Sequence, residues 1–109
     1  MKMQTSTIGE ATIVALSGDV DLRHSPNLRK ALMELMFDRR PVVVELSGVT
    51  YVDSSGIAGL VEAYQMARKN GTSFALAAIS DPVRRVLQLA RLDRVFTITD
   101  TVEAATTKG

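Results

Sequence analysis

The 109-residue chain is 46% apolar, 23% charged and 5% aromatic, and its thirteen basic and twelve acidic residues leave a net charge of +1. These proportions fit one globular domain with a modest core, and they give no global field to attract nucleic acid or anionic lipid. The absence of cysteine excludes disulfides, thiolate catalysis and Cys-ligated zinc or iron–sulfur sites, and the lone His24 leaves little for a His-rich metal centre.

No apolar run approaches the ~18 residues of a membrane span, and the first residues lack the apolar stretch of a signal peptide. The expectation is a small soluble domain over residues 1–109, cytoplasmic, with no bound cofactor, no nucleic-acid partner and no direct membrane insertion.

In chain order, an extended stretch around residues 3–8 and a second at 12–17 flank Gly9-Glu10, which predicts a hairpin. Gly18 to Pro26 is rich in turn formers. Ser25-Pro26 has the form of a helix start, with Ser at the cap and Pro in the first turn. Leu28, Ala31, Leu32, Leu35 and Met36 then recur at the spacing of one apolar helical face. Asp38 to Pro41 ends that helix.

Val42 to Leu46 is β-branched and almost continuously apolar, the pattern of a central strand covered on both faces. Residues 47–56 are expected to be a loop feeding a second helix, whose stripe of Ile57, Leu60, Val61, Tyr64 and Ala67 runs to a stop at Asn70-Gly71. Residues 73–79 predict another buried strand, and Asp81-Pro82 opens a third helix with Val83, Val86, Leu87 and Ala90 on its apolar side. Val95 to Ile98 is a short last strand, and Asp100 is expected to cap a final helix to Thr106. This alternation predicts an α/β fold: a mixed sheet, its first strand antiparallel and its later strands mostly parallel, packed with about four helices. Tyr51 and Phe74 are expected to be buried anchors, and the scattered methionines to pack the core or its flanks.

In such sheets, functional groups collect beyond the C-terminal ends of the strands. The segment before the second helix places Asp53, Ser54, Ser55 and Gly56 there. The simplest reading of the two hydroxyls is helix capping, because a serine oxygen accepts an otherwise unpaired main-chain N–H. The same geometry tolerates a phosphate, because the positive helix end favours an anion.

The stretch Val52-Asp53-Ser54-Ser55-Gly56-Ile57, preceded by Val43-Val44-Glu45-Leu46-Ser47, resembles the signature of the STAS domain, and more narrowly that of the bacterial anti-sigma-factor antagonists. Gly18-Asp19-Val20-Asp21 is similar to the family's early acidic landmark. Ile79-Ser80-Asp81-Pro82-Val83-Arg84-Arg85-Val86-Leu87 is similar to its late strand-to-helix segment.

The resemblance implies that Ser54 is phosphorylated by a partner that is both serine kinase and anti-sigma factor. It also implies that the unphosphorylated form binds that partner and frees the sigma factor, and that a PP2C-type phosphatase reverses the modification. By the same resemblance Asp21, Asp53, Ser54, Ser55 and Gly56 belong to the partner-binding surface, and ATP and Mg²⁺ belong to the kinase. STAS domains also serve as soluble subunits of ABC-type lipid transporters or as parts of signalling scaffolds, which is the alternative function.

Other chemistries fit less well. A hydrolase would need His24 as base, and the motif is not Gly-x-Ser-x-Gly. Asp19, Asp21 and Asp53 are the acids available for a Mg²⁺ site, but their spacing is no calcium loop and solvated turn acids is the simpler reading. Arg84, Arg85, Arg91 and Arg94 give the third helix region a basic cast, most simply a solvated face.

Overall fold

The computed structural model describes residues 1–106. Five strands form one sheet in the order β1 (Lys2–Ile8), β2 (Ala11–Val20), β3 (Val42–Val52), β4 (Phe74–Ala77) and β5 (Thr97–Thr99). The β1–β2 pair is an antiparallel hairpin around Gly9, whose φ of 60° is the left-handed conformation that such turns require. All later pairs are parallel. The helices are α1 (Ser25–Phe37), α2 (Ser54–Asn70), α3 (Asp81–Leu89) and the short α4 (Val102–Thr106).

The apolar pattern explains the layering. Val42, Val43 and Val44 are all buried because β3 is central and covered on both faces. Leu28, Leu32 and Met36 of α1, Ile57, Leu60, Ala63 and Ala67 of α2, and Val83 and Leu87 of α3 share one core with Val14, Leu16, Val44 and Leu76 of the sheet. On the opposite face a smaller cluster of Ala11, Ile13, Val43 and Ala77 packs under Val102 and Ala105 of α4. α2 stops at Gly71, whose φ of 74° closes the helix with main-chain bonds to Ala67 and Arg68.

β2 and β3 run further than the turn-forming residues suggest, and residues 47–52 are strand rather than loop. The β2–β3 ladder shifts register between Ala15 and Ser17 and again between Gly18 and Asp19. Gly48 pairs with Ser17 inside this irregular stretch, where an added Cβ would come within 2.8 Å of the Ser17 Cβ. The glycine marks a close approach of two strands and not a turn. The bulging also breaks the inward–outward alternation, so Tyr51 is half exposed instead of a buried anchor, while Phe74 is buried as expected.

Capping differs from expectation at all four helices, α2 being capped by Asp53 in place of a serine. His24, not Ser25, occupies the α1 cap position, and Ser80 precedes α3 with its hydroxyl donating to the Val49 carbonyl at 2.7 Å. Thr101, not Asp100, accepts the Ala104 N–H of α4.

Candidate functional site

The C-terminal ends of β2 and β3 lie side by side, with Val20 paired to Val52. The chain leaves these two ends into α1 and α2, so the pole they form carries the β2–α1 loop (residues 21–24) next to the start of α2. The Asp53 N–H donates to the Val20 carbonyl, which holds the two exits together.

Asp53 is the cap of α2. Its Oδ1 accepts from the Ser55 N–H at 3.0 Å, the Gly56 N–H at 3.3 Å and the Ser55 hydroxyl at 2.5 Å, while its Oδ2 accepts the Leu22 N–H at 3.1 Å across the pole. These donors, the Ser55 hydroxyl first among them, lower the Asp53 pKa and keep the carboxylate charged. The capping expected of a serine is therefore done by the neighbouring acid, as Asp and Ser are comparable caps.

The two serines differ as a result. The Ser55 hydroxyl is half-buried and spent on Asp53. Ser54 is exposed, and its hydroxyl has no hydrogen-bond partner among the described residues. Gly56 lets the first turn of α2 lie against the strands: a Cβ there would meet Val20 Cγ1 at 2.8 Å, and the Val20 carbonyl oxygen and Val52 Cγ2 at 3.0 Å.

Asp21 organises the loop opposite. Its Oδ2 accepts from Arg23 Nη2 at 2.9 Å and Nε at 3.2 Å, and its Oδ1 from the Arg23 N–H at 3.1 Å, with His24 Nδ1 at 2.8 Å from the same oxygen. The Arg23 guanidinium, with His24 adding to it, holds the Asp21 carboxyl down at about 2. His24 is engaged with Asp21, and among the described residues no base bonds the Ser54 hydroxyl. Asp19 accepts from the Thr50 hydroxyl at 2.9 Å, and no group of three metal-ligating side chains occurs among the described residues.

Two features escaped the sequence reading. Leu22 is 71% exposed at the loop tip, and with half-exposed Tyr51 it puts apolar surface on this pole. An apolar residue inside an otherwise polar turn was the available signal. The second feature is a groove of about 630 Å³ between α1 and α2, whose walls include Ser25, Pro26, Gly59 and Ser55. Arg29 and Glu62 line it too, joined by two hydrogen bonds of 2.5 and 3.0 Å that raise the arginine's pKa and lower the glutamate's.

Asp21, Asp53, Ser54 and Ser55 meet at one pole, and Gly56 is buried beneath it against Val20 and Val52. No helix among the described residues is long and apolar enough to cross a membrane.

Known proteins resemble this chain in sequence and fold. An anti-sigma F factor antagonist from Paenibacillus polymyxa is 29% identical over 91 residues, covering 81% of this chain and 77% of that protein. An anti-sigma-B factor antagonist from Bacillus subtilis is 28% identical over 85 residues, 78% of each. The crystal structure of an anti-sigma factor antagonist from Mycobacterium paratuberculosis superposes with a TM-score of 0.88 at 28% identity, covering 97% of this chain and 91% of that one. The STAS domain family model matches residues 2–105, and with the five-stranded mixed sheet and four helices on the page, the chain belongs to the STAS domain family.

Proposed function

We propose that the protein is an anti-sigma-factor antagonist controlled by phosphorylation of Ser54. In the unphosphorylated form the pole of Asp21, Leu22, Asp53 and Ser54 docks on an anti-sigma factor that is also a serine kinase, and the sigma factor is released. The kinase supplies ATP and Mg²⁺ and transfers a phosphoryl group to the Ser54 oxygen. The modified pole then no longer fits, until a PP2C-type phosphatase removes the group. This chain acts as ligand and phosphoacceptor, and catalysis resides in its partners.

One observation carries the reading: Ser54 presents an exposed, unbonded hydroxyl at the pole, whereas Ser55 beside it is tied to Asp53. A phosphoacceptor must enter another protein's active site without dismantling its own fold, and Ser54 meets that condition where Ser55 does not. The switch needs no refolding. A hundredfold loss of affinity corresponds to about 2.7 kcal/mol. A charge of nearly two units, desolvated against a surface built for a neutral hydroxyl, exceeds that readily.

The test is labelling with γ-phosphate-labelled ATP in extract of the native host, followed by localisation of the label. The reading expects label on Ser54 of the wild type and none on Ser54→Ala. Label on Ser55, equal labelling of Ser54→Ala, or no labelling of the wild type contradicts it.

A further inference from the structure

We infer that a phosphate on Ser54 draws the Arg23 guanidinium off Asp21, so that modification rewires the β2–α1 loop as well as adding charge to α2. This inference rests on Ser54 being the phosphoacceptor.

The cap leaves the phosphate short of partners. Most donors that this helix start offers to an anion are already taken: Asp53 Oδ1 holds the Ser55 and Gly56 N–H groups and the Ser55 hydroxyl, which leaves a phosphate the single Ser54 N–H. The residue bearing the phosphate is also next in the chain to that carboxylate, so repulsion adds to the shortage. Compensation must come from a side-chain cation.

Two arginines stand near this pole. Arg29 lines the α1–α2 groove with Ser55, but both of its hydrogen bonds run to Glu62 on α2. Arg23 follows Leu22, whose N–H donates to Asp53 Oδ2 at 3.1 Å, so the neighbouring residue in its loop is tied to the residue preceding Ser54. Its side chain is 76% exposed; its hydrogen bonds run to Asp21, and the charge of Asp19 adds attraction.

The exchange costs the loop little. The guanidinium bonds only Oδ2 of Asp21, while the Arg23 N–H and His24 Nδ1 are both at Oδ1. Swinging the guanidinium away leaves the Oδ1 contacts in place, so the loop keeps its path. In return the arginine trades a single negative charge for one of nearly two and keeps the paired geometry that its planar fork makes with carboxylate and phosphate alike. The outward result is a loop that shows a bare carboxylate edge where it had shown a cation.

The test installs phosphoserine at residue 54 during translation, so it is independent of any kinase. Phosphorus NMR then follows the phosphate titration in the otherwise wild-type chain, in Arg23→Gln and in Arg29→Gln. The phosphate is expected to titrate about half a pH unit lower in the chain that retains Arg23 than in Arg23→Gln, with Arg29→Gln matching the former. Arginine side-chain NMR of the unmutated chain above pH 7, where the phosphate is a dianion, gives a second reading: the Arg23 Nε–H signal is expected to move on phosphorylation of Ser54. Equal phosphate midpoints with and without Arg23, a shift produced by Arg29→Gln instead, or an Arg23 Nε–H signal unmoved by phosphorylation overturns the inference. Failure of the phosphoacceptor reading shows separately, as absence of label on Ser54 in host extract.

Discussion

A single carboxylate holds both sides of the candidate site. Asp53 caps α2 through Ser55 and Gly56 and reaches across to the Leu22 N–H, so the β2–α1 loop and α2 share one anchor. Asp21 does the corresponding work inside the loop, and both carboxyls have folded pKa values below the ordinary 3.8. A depressed folded value gives stability that is complete above the unfolded pKa and is lost as pH falls through the folded one. Thermal unfolding is therefore expected to show an extra loss of stability between about pH 4 and about pH 2, reduced in Asp21→Asn and in Asp53→Asn. A wild type and variants whose melting temperatures fall in parallel over that interval would contradict the assignment.

Among the elements, α2 decides how the site is presented, and two of its glycines test the packing in opposite directions. Gly56 has no room for a Cβ because Val20 and Val52 stand within 3.0 Å of the position, whereas a Cβ at Gly59 meets nothing within 4 Å. Gly56→Ala is expected to cost about 1–3 kcal/mol through overpacking. Gly59→Ala is expected to gain about 0.4–1 kcal/mol by restricting the unfolded chain. Chemical denaturation of the two variants measures both, and equal effects of the same sign would show that the helix does not sit as described.

The same elements show what was legible beforehand. The order of strands and helices follows from the continuous apolar runs of β2 and β3 and the period-3.6 stripes of α1 and α2. The run after Leu46 was hidden because Ser47-Gly48 has turn chemistry, while the bulged ladder that needs a glycine opposite Ser17 exists only once β2 and β3 pair. Asp53, Ser54 and Ser55 were visible as a helix start. Which of them caps, and hence which hydroxyl stays free, depends on Leu22, thirty-one residues away in the chain.

At the scale of the molecule, the topology explains why the site is a surface. Strands β2 to β5 follow one another in order, and α1, α2 and α3 all pack on one face. The strand order therefore never reverses between parallel neighbours, and the crevice that serves doubly wound enzymes at such a reversal does not form. The C-terminal pole carries exposed Leu22, half-exposed Tyr51 and the Ser54 hydroxyl.

The most direct test of the switch compares three baits in extract of the native host: wild type, Ser54→Ala and Ser54→Asp. The Ser54 hydroxyl makes no bond among the described residues, so Ser54→Ala is expected to keep the fold and the docking surface. A phosphorylation-controlled antagonist predicts that wild type and Ser54→Ala both retain a serine kinase able to bind a sigma factor, and that Ser54→Asp loses it. Equal recovery of that kinase by all three baits, or of a membrane transporter in its place, would contradict the account.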